Sequence, residues 1–168
     1  MSKELENRFL TAVENNQHKL LRICSVYAKD TEESKDLFQE VLIQIWKSMP
    51  SFKAKSTLET WMFRIALNVC LRFRSNHIKK KNQFISIDHQ FMADIEHEPA
   101  VDERREQLRM LKNCIKKLND ADKAVITLYL EELSYKEISN VTGLVENTVA
   151  VKIKRIKKKL LNCIKEVS

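Results

Sequence analysis

Ser134 to Leu161 reads SYKEISNVTGLVENTVAVKIKRIKKKLL, a pattern of two helices joined by a very short turn. Ser134-Tyr135-Lys136-Glu137 is a capping box: the serine hydroxyl accepts from the Glu137 amide, and the glutamate reaches back. A short helix starts there and stops at Gly143, the one glycine in the chain, where a left-handed residue lets the backbone turn sharply. A second helix follows from about Asn147, with Val149, Ile153, Ile156 and Leu160 spaced as one buried stripe. Its other face carries Lys152, Lys154, Arg155, Lys157, Lys158 and Lys159. A charge run of this kind is also how the solvated face of any bundle helix looks. The glycine and the capping box together favour a helix-turn-helix that lays its second helix in the major groove of DNA.

Composition agrees. The 168 residues allow one domain or two small ones, and a hydrophobic content of 43% can fill a core. One Gly and two Pro among abundant Leu, Ile, Lys and Glu predict an all-α chain. A formal net charge of +7 favours a polyanionic partner. No apolar run is long enough to span a bilayer, and the first residues lack the apolar core of a signal peptide. A cytoplasmic location is the expectation. Cys24, Cys70, Cys114 and Cys163 are far apart in sequence and form no CxxC pair, so they are expected to be small buried hydrophobes without disulfides. His18, His77, His89 and His97 lack metal-ligand spacing, and no metal or cofactor is expected.

From the N-terminus, Leu5, Phe9, Val13, Leu20, Ile23, Cys24 and Tyr27 mark a first helix that Asn15-Asn16 interrupts. Asp30-Thr31 caps the next, Glu32 to Met49, whose core positions are Leu37, Val41, Leu42 and Ile45. Asp36, Gln39, Glu40, Ile43, Trp46 and Lys47 fall along a second face of that helix. Its mixture of acid, amide and aromatic suits a docking surface, although Ile43 and Trp46 could equally serve the core. Pro50 ends the helix, and Ser51 to Lys55 form a loop bearing Phe52, Lys53 and Lys55. Ser56-Thr57-Leu58-Glu59 is a second capping box, opening a helix to about Ser75 with core positions Met62, Ile65, Ala66, Val69 and Phe73. Trp61, Arg64, Asn68, Arg72 and Arg74 give it an aromatic-plus-basic surface, the combination that stacks unpaired bases and follows phosphates.

Between residues 84 and 103 periodicity fades and acid accumulates: Asp88, Asp94, Glu96, Glu98, Asp102 and Glu103, with Pro99 among them. The expected organisation is therefore two small helical domains, 1–83 and 104–168, joined by a flexible acidic linker at 84–103. In the second domain Leu108, Leu111, Ile115 and Leu118 mark a helix, and Asn119 or Asp120 caps the next, which carries Val125, Leu128 and Leu130.

These pieces resemble the sigma-70 family, extracytoplasmic-function type, over almost the whole chain. Asp36-Leu37-Phe38-Gln39-Glu40-Val41 is similar to the family's DLxQEV segment, which implies docking of Asp36, Gln39, Glu40, Ile43, Trp46 and Lys47 on the β′ clamp helices of core RNA polymerase. Trp61 to Asn68, WMFRIALN, is similar to WLxRIAxN. This implies that Phe52, Lys53, Lys55, Trp61, Arg64, Asn68 and Arg72 read the melted −10 element, with an unpaired base held between the Ser51–Lys55 loop and Asn68. Leu133 to Ile138, LSYKEI, and Asn147-Thr148-Val149 fall where the family has LSYxEIA and its recognition helix. The −35 contacts implied are Glu146, Asn147, Thr148, Val151, Lys152, Lys154, Arg155 and Lys158. The resemblance also implies contact with the polymerase β flap, promoter DNA as a partner and an anti-sigma factor. Three departures stand out. Val145 replaces a capping serine, leaving Glu146 or Asn147 to cap; Ala150-Val151 replace a frequent Lys-Ser pair; and Leu71-Arg72 lie where an aspartate often follows.

The function expected is that of a transcription initiation factor that brings core polymerase to specific promoters and assists melting. An ordinary helix-turn-helix duplex-DNA regulator, with residues 1–83 as an N-terminal interaction domain, is the alternative. No activated nucleophile, carboxylate pair or phosphate loop suggests an enzyme.

Overall fold

The computed structural model describes residues 2–83 and 103–167. Among them are seven α-helices and one 3₁₀ turn, and no strand. α1 (Lys3–Tyr27), α2 (Thr31–Ser48) and α3 (Leu58–Gln83) pack on one another. α4 (Glu103–Lys116), α5 (Asp120–Leu130), α6 (Tyr135–Thr142) and α7 (Glu146–Val167) form a second group, with α7 touching each of the other three. The acidic stretch expected as a linker lies outside the described residues except for Glu103, which opens α4.

α1 is continuous, so Asn15-Asn16 do not interrupt it. Asn16 is buried and donates from Nδ2 to the Ala12 carbonyl at 2.9 Å. An amide satisfied by its own preceding turn has no reason to break the helix. α2 begins as expected, with the Asp30 carboxylate accepting from the Glu33 amide at 2.8 Å. Leu37, Val41 and Ile45 are buried against α1 and α3. Each such side chain contributes about 1.5–3 kcal/mol by leaving water.

α3 starts one residue later than a Ser56 cap would place it. The capping oxygen is Thr57 Oγ1, which accepts from the Thr60 amide at 3.2 Å, while Glu59 pairs with Lys19 on α1 at 3.0 Å. The helix also runs past Ser75 to Gln83. It contributes Met62, Phe63, Ala66, Leu67, Val69 and Cys70 to the core.

In the second group Asn119 caps α5, its Oδ1 accepting from the Asp122 amide at 2.8 Å. α4 is thinly anchored: Cys114 and Ile115 are its buried residues, and Leu108, expected in the core, is 58% exposed. The cysteines also depart from expectation. Cys24 and Cys70 are free and buried as predicted, but Cys114 and Cys163 are joined by a disulfide with Cα atoms 6.0 Å apart. Forty-nine positions of sequence separate them, so nothing in their local spacing announces that α4 and α7 bring them together.

The two groups touch. Arg22 on α1 makes a paired contact with Glu131 at the end of α5, at 2.5 and 2.7 Å. Tyr27 donates its hydroxyl to the Asp120 carbonyl at 3.2 Å, and Lys116 Nζ donates to the Ala28 carbonyl at 2.9 Å. Arg74 Nε lies 3.0 Å from Asp120 Oδ1, close enough for an ion pair though without hydrogen-bond alignment. α3 also packs on α6.

Candidate binding surfaces

On α2, helical spacing sorts the core stripe from a polar one. Asp36, Gln39, Glu40, Ile43 and Lys47 are all exposed on that second stripe, and Ile43 stands 46% open among them. Trp46 is turned partly inward, its ring edge-on to Phe9 of α1 at 4.9 Å and 70°. The result is an apolar contact point ringed by acid, amide and ammonium groups, which suits a protein partner.

The second surface spans the loop before α3 and the helix itself. The ring of Phe52 lies 5.0 Å from that of Trp61, and the Arg8 guanidinium sits 5.9 Å above it. Arg8 was not among the residues singled out from the sequence, because only folding brings α1 to this loop. Lys53 and Lys55 are exposed. Between them Ala54 has φ 55, a left-handed conformation that disfavours any residue with a Cβ and so marks stored strain. Arg64, Asn68 and Arg72, one turn apart, are exposed along α3. Arg64 donates to the Asn140 carbonyl of α6.

An open groove of about 540 Å³ lies next to this surface. It is lined by α1 residues, among them Asn7, Arg8, Thr11 and Asn15, together with Leu58 and Glu59 of α3.

The third surface is the helix-turn-helix. Ser134 Oγ accepts from the Glu137 amide at 3.1 Å, starting α6, and Gly143 ends it with φ 78 while its amide donates to the Ser139 carbonyl. Ser139 Oγ closes the turn by donating to the Leu144 carbonyl at 2.5 Å. α7 begins at Glu146 directly after Val145, and the Val149 amide donates to the Val145 carbonyl at 3.0 Å. Val145 therefore precedes the helix, and neither Glu146 nor Asn147 takes the capping position. Val149, Ile153, Ile156 and Leu160 are buried, which aims the opposite side outward.

Glu146, Asn147, Thr148, Val151, Lys154, Arg155 and Lys158 are all exposed on α7. Lys152 is not with them: it is half-buried, and its Nζ lies 3.2 Å from Asp122 Oδ1 on α5. Asp122 also holds Lys159 at 3.5 Å. Lys157 donates to the Tyr129 hydroxyl at 2.8 Å and stands 4.5 Å above its ring. That hydrogen bond raises the Lys157 ammonium above its ordinary value.

No helix among the described residues is long and apolar enough to cross a membrane. The fold and its surfaces define a two-unit helical protein whose second unit carries a DNA-reading helix-turn-helix. Residues 12–81 match Sigma-70 region 2, and residues 108–160 match Sigma-70, region 4. The chain is 28% identical over 153 residues to RNA polymerase sigma-H factor of Pseudomonas aeruginosa, covering 83% of this chain and 77% of that one. It is 27% identical over 164 residues to ECF RNA polymerase sigma factor SigW of Bacillus subtilis, covering 89% and 85%. Among solved structures it resembles sigma factor RpoE of Bartonella quintana, in complex with the anti-sigma factor NepR. The TM-score there is 0.71 at 21% identity, covering 98% of each chain. The chain belongs to the sigma-70 family, and within it to the extracytoplasmic-function type.

Proposed function

We propose that this protein is a transcription initiation factor that binds core RNA polymerase, directs it to specific promoters and assists their melting. The observation that carries the reading is one chain holding three surfaces in family order. These are the polar stripe of α2 around Ile43, the aromatic and basic face of α3, and the outward face of α7. Its partners are core polymerase and promoter DNA. The likeness to a sigma factor held by NepR supports an anti-sigma factor as a third. The setting is the cytoplasm, where polymerase and promoter are, and the role is non-enzymatic.

The division of labour follows from the residue types. Asp36, Gln39, Glu40, Ile43 and Lys47 dock on the β′ clamp helices, with Trp46 bracing α2 from behind. α7 holds intact upstream DNA, reading base edges with Glu146 and Asn147 and phosphates with Lys154, Arg155 and Lys158. Lys152, drawn to Asp122, serves better to fix α7 on α5 than to read a base. On the first unit, Asn68 and the Phe52–Trp61 pair take the opened strand. Extruding a base costs a few kcal/mol, and stacking on an aromatic returns roughly 1–3 kcal/mol. Capture of one or two bases thus offsets the opening without ATP.

In the arrangement described, Arg64 is engaged by Asn140 and α3 packs on α6. Both units must separate before α3 and α7 can lie along one promoter. The isolated protein therefore binds promoter duplex weakly and becomes specific with core polymerase. A gel shift checks this: nanomolar, sequence-specific binding by the protein alone points to a duplex-DNA regulator instead.

A further inference from the structure

We propose that Cys114 and Cys163 form a redox-responsive site, oxidised by a peroxide or a low-molecular-weight disulfide, whose state sets the lifetime of the promoter-reading unit. The four cysteines fall into two spatial pairs with opposite surroundings. Cys24 and Cys70 lie where α1 meets α3, each with no exposed surface. Hydrogen bonding between their thiols, together with burial, holds the Cys70 thiol well above its ordinary value. That pair stays reduced and inert because no reagent reaches two thiols without exposed surface.

The second pair is open to solution on one side. Cys114 is 2% exposed, but Cys163, near the end of α7, is partly exposed. A surface groove of about 330 Å³ runs beside the bond, lined by both cysteines with Lys117, Lys159, Asn162 and Glu166. Lys117, just past α4, and Glu166 of α7 face this groove, and Lys159, on its edge, is held by Asp122. The groove is wide enough for hydrogen peroxide or a small thiol to meet Cys163.

The bond spans 49 positions and encloses α5, α6 and the reading face of α7. A cross-link over so long a loop restricts the unfolded chain far more than the folded one. The fold leans on it here because, beyond Cys114 and Ile115, α4 gives the core the partly buried Leu111, with Leu108 in solvent. Without the bond α4 keeps Leu111 and Ile115 as its apolar anchors, and the last turns of α7 keep the partly buried Ile164. More frequent opening then exposes the unit to proteolysis, which follows the population of the open form.

The chemistry balances. Cys163 thiolate attacks one oxygen of hydrogen peroxide, forming a sulfenic acid and releasing hydroxide, which is protonated to water. Cys114 thiolate then attacks the sulfenyl sulfur, the S–S bond forms, and the second oxygen leaves as water. Two electrons pass from the two thiols to the peroxide. With a low-molecular-weight disulfide the same electrons reduce it to two thiols by exchange, and a dithiol reverses the reaction.

The test uses the full chain, reduced with dithiothreitol and then treated with hydrogen peroxide or oxidised glutathione. Mapped peptides should show a Cys114–Cys163 cross-link, with Cys24 and Cys70 still alkylated after denaturation. The oxidised protein should melt roughly 10 °C or more above the reduced one, and trypsin should cleave within α4 to α7 at least tenfold more slowly. Cys163→Ser and Cys163→Ala should behave as reduced wild type under every treatment. Both replace a partly exposed side chain, so one serves if the other misfolds. Failure of the cross-link to form, oxidation of Cys24 or Cys70 first, or a cross-link that changes neither melting nor cleavage would overturn the proposal. So would an undiminished response in Cys163→Ala.

Discussion

Arg155 and Asn68 lie on different helices, and what each removes on truncation differs in kind. Arg155 is exposed on the outward face of α7, where we propose that it meets phosphate. Arg155→Ala should weaken binding of the polymerase complex to all promoter sequences and lower the magnitude of the salt slope by about 0.9, measured as affinity against salt concentration. Asn68→Ala should leave upstream duplex affinity nearly unchanged and reduce open-complex formation by roughly 1–3 kcal/mol. Permanganate reactivity of thymines reports that opening, and a template already mismatched over the melted region should restore much of the loss. Equal loss of closed-duplex binding in both variants would remove strand capture from the first unit.

Tyr27 offers a second test at the same scale. Burial, reinforced by the negative charge of Asp120, pushes its phenol well above the usual tyrosine range. The folded state therefore keeps this proton after the unfolded chain has lost it. The stability so contributed is fully present below the ordinary value near 10 and declines as pH rises beyond it. Ultraviolet titration should show a late tyrosine step above the ordinary range, and Tyr27→Phe should delete that late step. Residue identities of this kind were only partly legible in the sequence. Spacing marks Asn68 and Arg155 as outward-facing, but it gives Lys152 the same standing, and only the fold brings Asp122 within 3.2 Å of it.

At the scale of the element, Gly143 makes the turn. A Cβ built on it would meet nothing within 4 Å, so the objection to a side chain is the positive φ alone. Gly143→Ala should therefore destabilise the helix-turn-helix by about 1–2 kcal/mol, and Gly143→Asn by less, since asparagine tolerates the left-handed region better. Thermal melting of the two variants checks the order. On α2, Glu40→Arg reverses charge on the outward stripe without touching Leu37, Val41 or Ile45. It should abolish co-purification with core polymerase at unchanged helicity. Ile45→Ala, in contrast, empties a fully buried position and should cost about 2–5 kcal/mol.

Elements were the most legible level because their signals are local. Asp30, Asn119 and Ser134 each cap the helix they were expected to begin or were offered to begin. The misses share a cause. Thr57 rather than Ser56 caps α3, since two adjacent hydroxyls look alike until the backbone chooses between them. Leu108 continues a periodic stripe on α4 but stands 58% exposed, because the buried core of the second unit is reached only lower on the helix, at Cys114 and Ile115.

Across the whole molecule, the contacts between the units involve partners such as Arg22 and Glu131, 109 positions apart. No periodicity or motif could join them. Glu131 is 7% exposed, whereas the Arg22 side chain is 58% exposed, and this asymmetry makes a prediction. Arg22→Ala strands a buried carboxylate and should cost about 2–3 kcal/mol. Glu131→Gln leaves a solvated guanidinium and should cost about 1 kcal/mol after allowing for screening. Either variant should loosen the units and raise binding of the free protein to promoter duplex, read by thermal melting and by gel shift.

The central claim, that this chain gives core polymerase its promoter, is tested most directly by run-off transcription with purified core enzyme. Templates carrying promoters selected by polymerase loaded with this protein are transcribed with and without it, from duplex and from a preopened bubble. Transcripts of defined start should arise on duplex only when the protein is present, be lost in Glu40→Arg and be partly restored to Asn68→Ala on the bubble. Identical transcription with and without the protein, or repression of a promoter that core already serves with another factor, would contradict it.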